Sequence, residues 1–111
     1  MFIQDQISAK EHDFHKLCTA HNVKYIYAFG SSVTKNFDHK KSDIDLLVAI
    51  DDADPVERGE KLISLWDTFE TFFKRRVDLL TETSIHNPYL RRSIDSTKIL
   101  IYDGAKQKVL V

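Results

Sequence analysis

Residues 42 to 50 read SDIDLLVAI: two aspartates one residue apart, followed by five apolar residues without a break. An apolar run of strand length that does not alternate is covered on both faces, as in the middle of an α/β sheet. Side chains in a strand alternate, so Asp43 and Asp45 project to one side and Ile44 to the other. Their Cα atoms lie roughly 6.6 Å apart at the usual rise per residue. Carboxylates this close repel each other and resist burial. A chain that sets them at the head of a covered strand has something positive to hold.

Periodicity predicts the remaining elements. Ile3, Ile7, Phe14, Leu17 and Cys18 fall near one helical face across residues 3 to 21. KYIYAF at 24 to 29 predicts a strand that ends at Gly30. Asp54 caps the next helix, with Pro55 at its first position and Glu57 where a capping box wants it. Leu62, Trp66, Phe69 and Phe73 form that helix's apolar stripe, which makes Trp66 a core residue. RRVDLLTE at 75 to 82 predicts a third strand, and a short helix follows around Asn87-Pro88. KILIY at 98 to 102 predicts a last strand, with Gly104 in the turn after it. This order predicts an α/β (α+β) fold, a mixed sheet of about four strands covered by helices. A chain of 111 residues is enough for one core and too short for two, so residues 1 to 111 are read as one domain.

The bulk properties narrow the function. A formal net charge of -1 gives no general attraction to nucleic acid or to an anionic membrane, and nothing signals DNA binding directly. The longest purely apolar stretch, Leu46 to Ile50, is far short of a membrane span. Asp5, Glu11 and Asp13 argue against a signal peptide. Cys18 has no partner for an internal disulfide, which points to a reducing cytoplasm, and its spacing from Ile7, Phe14 and Leu17 marks a small buried hydrophobe.

Two further features stand with the aspartates. Gly30 follows a strand and precedes SSVTK, where a short helix can open. Glycine lets a phosphate approach the backbone, and Ser31 offers a hydroxyl beside the free N–H groups of a helix start. The plainer alternative is a strand-to-turn glycine with a serine cap. Asp78 sits inside the apolar strand RRVDLL, where an acid is costly unless it is paired or ligates a metal. The alternative there is an ion pair with Arg75 or Arg76. If the Asp78 strand lies beside the Asp43/Asp45 strand, three carboxylates converge, and hard Mg²⁺ ions prefer such oxygen ligands. Two acids can then be shared between metals while the third serves one metal and draws the proton from an attacking hydroxyl.

GSSVTKNFDHKKSDIDLLV followed by VDLLTE resembles the minimal nucleotidyltransferase (MNT) family of the DNA polymerase β-like superfamily, over about residues 23 to 103. The resemblance implies a small nucleotidyltransferase fold in which Gly30 and Ser31, with Ser32 beside them, hold a triphosphate. It also implies that Asp43 and Asp45 bind two Mg²⁺ and that Asp78 completes the catalytic metal site. Members are commonly encoded beside a HEPT-domain protein, as antitoxin and toxin. The MNT partner resembles a protein adenylyltransferase that moves AMP from ATP to a tyrosine of the toxin. Two other readings remain open: an antitoxin that masks its partner without catalysis, and a transferase for a small molecule or RNA with a separate substrate-binding subunit. The chain departs from the family in two places. Eleven residues separate Ser31 from Asp43, one more than in many members, and Thr34-Lys35 replaces a frequent Arg-Gly. Lys35, Lys40 and Lys41 fit either phosphate or partner contacts or a solvated loop, and Arg91 and Arg92 are equally open. Tyr25, Tyr27, Tyr89 and Tyr102 read as packing residues, and the histidines show no metal spacing.

Overall fold

The computed structural model describes residues 2–34, 37–38 and 42–111. Lys35, Lys40 and Lys41 lie outside the described residues. The described chain forms α1 (Phe2–Ala9), α2 (Glu11–Ala20), β1 (Val23–Ala28), a 3₁₀ turn (Gly30–Val33), β2 (Ile44–Ile50) and α3 (Pro55–Phe73). β3 (Val77–Leu80), a second 3₁₀ turn (Glu82–Ser84), α4 (Pro88–Thr97), β4 (Ile99–Asp103) and β5 (Lys108–Val109) complete it. The strands form one mixed sheet in the order β3-β2-β1-β4-β5. β2 and β3 are parallel and the other pairs antiparallel. The short β5 takes the sheet one strand beyond the expected four.

The Asp54 cap expected from the sequence forms, and Asn87 caps α4 at the expected helix entry. The Asp54 carboxylate accepts from the Val56 N–H at 2.9 Å, with Pro55 behind it. Asn87 accepts from the N–H groups of Tyr89 and Leu90 ahead of α4. Each satisfies donors that an open helix start would leave to water.

The two faces of the sheet are covered unequally. Ile3 and Ile7 of α1, Phe14 and Cys18 of α2, and Leu65, Phe69 and Phe73 of α3 pack on one face against Ile26, Ile44, Leu46, Val48, Val77 and Ile101. The opposite face carries a smaller cluster of Phe29, Leu47 and Ile94, with Ile94 supplied by α4. Leu46, Leu47 and Val48 are all fully buried, as the unbroken run requires. Cys18 is buried too, and desolvation pushes its thiol well above the usual range.

Three expectations change. The first helical stretch is two helices, because Lys10 leaves the helical region at φ −136° and ψ 45°. No glycine or proline marks that break, and both pieces still bury their apolar faces. Trp66 is 44% exposed rather than core. The buried stripe runs through Leu65, Phe69 and Phe73, one position round the helix. Trp66 lies instead over the outer edge of β3. Its Nε1–H donates to the Val77 carbonyl at 2.7 Å, while the Glu70 carboxylate accepts from the Val77 N–H at 3.0 Å. Two side chains of α3 thus satisfy backbone groups that an edge strand leaves open. Tyr89, at 78% exposure, is a surface residue and not a packing one.

Gly104 is fixed by close approach. Its N–H donates to the Lys24 carbonyl at 2.8 Å, and a Cβ there would stand 2.2 Å from the Val23 carbonyl oxygen and 2.7 Å from that of Lys24. Gly104→Ala is therefore expected to lower stability by about 1–3 kcal/mol through overpacking against β1. Chemical denaturation measures it, and a loss below 0.5 kcal/mol (about the spread of neutral surface substitutions) would contradict this account.

Candidate active site

Strand register decides where the acids stand. Along the parallel pair, Ile44 lies opposite Val77, Asp45 opposite Asp78, Leu46 opposite Leu79 and Leu47 opposite Leu80. Register partners on neighbouring strands share a face. Asp45 and Asp78 therefore stand side by side, on the thinly covered face that also carries Leu47 and Leu80. Asp43 lies just ahead of β2, two residues before Asp45.

Asp45 senses both neighbours. Its carboxyl is pushed up from 3.8 to about 6, first by burial, next by the charge of Asp78 and then by that of Asp43. Asp78 is exposed, which corrects the expectation of a buried acid. β3 is the edge strand, and a single helix covers this face of the sheet. Among the described residues Asp78 makes no ion pair with Arg75 or Arg76. The Arg75 Nη1–H instead donates to the Ser42 carbonyl at 3.1 Å.

The Gly-Ser turn meets the acids directly. Gly30 has φ 63°, a left-handed conformation that favours glycine, and a Cβ there would come within 3.0 Å of Asp45 Oδ2. The Asp45 N–H donates to Ser32 Oγ at 2.8 Å, and its carbonyl accepts from the Phe29 N–H at 3.1 Å. The turn thus holds Asp45 through both of its backbone groups. Ser32 is buried and its hydroxyl engaged, so it supports Asp45 and does not face solvent as a phosphate ligand would. Gly30's own N–H donates to Thr97 Oγ1 at 2.9 Å, and that hydroxyl donates to the Ser93 carbonyl at 2.7 Å. Thr97, at the last turn of α4, had no sequence signal, because its partner is sixty-seven positions away. Ser31 is partly exposed, and its hydroxyl has no partner among the described residues.

The other basic candidates separate. Arg91 pairs with Glu82 at 2.6 Å and with Asp95 at 3.9 Å, whereas Arg92 is exposed. A cavity of about 340 Å³ opens beyond the end of β3, lined by Tyr25, Ala49, Pro55 and Leu62 among others, but none of the three acids lines it. The acids occupy an open face.

Among the described residues, no three His, Cys, Asp or Glu side chains close into a metal-ligand set. Asp43, Asp45 and Asp78 are electrostatic neighbours without sharing one ligand point. Their donor chemistry nevertheless fits a hard divalent cation, since all three offer carboxylate oxygens, and the charges of Asp78 and Asp43 add to burial in raising the Asp45 carboxyl, a repulsion that a cation would relieve.

A family model described as polymerase beta, nucleotidyltransferase matches residues 13–107. The chain belongs to this family, among its minimal nucleotidyltransferases. A Methanocaldococcus jannaschii relative named as a protein adenylyltransferase is 41% identical over 81 residues, 73% of this chain and 79% of the relative. A solved structure named as a minimal nucleotidyltransferase superposes with a TM-score of 0.58 at 25% identity, covering 86% of this chain and 92% of its own. A chain from a variant of the MntA-HpeT toxin–antitoxin complex gives a TM-score of 0.57 at 25% identity, over 84% of this chain and 72% of that one. No helix among the described residues is long and apolar enough to cross a membrane.

The Asp45 environment makes a pH prediction. Its folded pKa of about 6 exceeds the ordinary 3.8, so folding favours the protonated form. That contribution is complete below 3.8 and is lost as pH rises through about 6. Without divalent cations, Asp45→Asn is expected to melt above the wild type at about pH 8, with the gap closing by about pH 4. Equal melting temperatures at both pH values would contradict the burial of Asp45 beside two other acids.

Proposed function

We propose that this nucleotidyltransferase moves AMP from ATP to a hydroxyl of a partner protein, a tyrosine of a HEPT-domain toxin, and so acts as its antitoxin. The observation that carries the reading is the register of Asp45 with Asp78 beside the left-handed turn at Gly30. The named activity of the Methanocaldococcus relative supports a protein acceptor and an adenylyl donor, and the MntA-HpeT likeness supports a toxin partner.

In this reading the turn binds the phosphates, and Gly30 contributes by having no side chain, because its amide is already held by Thr97. The free hydroxyl of Ser31 donates to a phosphate oxygen. Asp43, Asp45 and Asp78 are the residues that would hold Mg²⁺. Bound there, the metal supplies positive charge to the attacking and leaving oxygens of an in-line displacement. Asp78, exposed on the edge strand, takes the proton of the acceptor hydroxyl. The hydroxyl oxygen forms its bond to the α-phosphorus as the bond to pyrophosphate breaks.

The test combines labelled ATP, Mg²⁺ and the co-encoded partner. Label is expected on the partner, and Asp43→Ala or Asp78→Asn should cut transfer at least about 100-fold. Asp78→Asn should leave ATP binding largely intact. Tight binding to the partner without label would replace catalysis by masking, and label on RNA or a small molecule alone would move the acceptor.

Mg²⁺ at millimolar concentration should also raise the melting temperature of the wild type, because it binds only the folded form. Asp45→Asn should lose most of that rise. A wild type indifferent to Mg²⁺ would count against a preformed cation site.

A further inference from the structure

Three side chains from separate parts of the chain meet, and one of them bonds Ser42, the residue before Asp43. The rings of Phe2, at the start of α1, and Phe37 stack with centroids 4.9 Å apart and planes 20° from parallel. The Arg75 guanidinium, between α3 and β3, lies over both, 4.3 Å from the Phe2 centroid and 5.1 Å from that of Phe37. The same guanidinium donates to the Ser42 carbonyl.

Ser42 is bound again on its other side. Its N–H donates to the Asp38 carbonyl at 2.9 Å, and its Oγ accepts from the Asp38 N–H at 2.8 Å. One residue beyond Asp43, the Ile44 N–H donates to the Arg76 carbonyl at 3.0 Å. Asp43 thus sits between two anchored residues, one held by Arg75 and the other by Arg76.

We propose that Phe2, Phe37 and Arg75 form a clamp that positions Asp43 beside Asp45, which makes the N-terminal helix a working part of the site. The inference rests on the reading of Asp43 as a site residue, and it adds groups that touch neither nucleotide nor acceptor. Phe2 precedes residues 13–107, where the family match lies. Ile3 and Ile7 already dock α1 on the sheet, so the Phe2 contact with Phe37 is a separate use of that helix. An arginine suits the position because its planar cation stacks on rings while its fork still donates a hydrogen bond, which a lysine cannot do together.

The test compares Phe2→Ala, Phe37→Ala and Arg75→Ala with Phe37→Tyr and Arg75→Lys in the full chain. Amide exchange by NMR is followed at Asp38 and Ser42, and ATP binding is titrated against Mg²⁺. The alanine variants should exchange both amides about tenfold faster. They should also need about tenfold more Mg²⁺ for half-maximal ATP binding, as expected when a group supporting a metal ligand is lost. Phe37→Tyr keeps the stacked ring and should restore both readouts, while Arg75→Lys should not. Unchanged exchange and Mg²⁺ requirement would overturn the clamp. So would equal acceleration at Ile26 and Val48, which reports a general loss of stability. A wild type that shows no Mg²⁺-dependent ATP binding would instead overturn the nucleotidyl-transfer reading, and exchange at Asp38 and Ser42 would still decide the clamp.

Discussion

The site depends on the parallel pairing of β2 with β3. In that register Asp45 faces Asp78 across one strand spacing, and both point away from the large apolar cluster. A slip of one residue would send Asp78 to the opposite face and bring Val77 or Leu79 beside Asp45. The slip is opposed by burial: Ile44, Leu46 and Val77 lose their places in the core if the strands shift. Trp66 and Glu70 oppose it as well, since both bond the backbone of Val77 from the outer edge. The hydrophobic core thus sets the geometry of a polar site to which it contributes no polar atom.

Unequal covering of the sheet supplies the second condition. Three helices close one face, and α4 with its neighbours only partly covers the other. Asp45 is therefore half-buried, enough to raise its carboxyl, while Asp78 stays in water. Two aspartates one strand apart thus occupy different environments. α4 contributes more than cover, because Thr97 closes the Gly30 amide and ties the Gly30–Val33 turn to the helix. Ser32 ties the same turn to the backbone of Asp45. The turn, the acid strand and α4 are thereby joined by hydrogen bonds that do not use the Ser31 hydroxyl.

Local chemistry made much of this legible before any coordinates. The unbroken run from Leu46 announced a strand covered on both faces, and the spacing of Asp43 and Asp45 announced acids on one side of it. Asp54-Pro55 and Asn87-Pro88 marked helix starts, because a cap bonds donors only two or three residues away. Gly30 was readable as a special backbone position at the end of a strand. Readings that depended on the rotation of a helix about its axis fared less well. Trp66 differs from Leu65 by one position, and the apolar stripe alone does not say which of them meets the sheet.

What the sequence determined by itself was the set of parts: a covered strand headed by two acids, a Gly-Ser turn, a third acid in another strand and capped helices. These follow from interactions within a few residues, which any window of the chain contains. Tertiary structure alone decided that Asp78 is exposed, that Ser32 and Thr97 serve the turn, and that Phe2 and Arg75 reach the approach to Asp43. Each of those facts depends on which strand sits at the edge and on which distant side chain fills a given space. Long-range packing settles both, because the free energy of burial counts area without regard to separation along the chain.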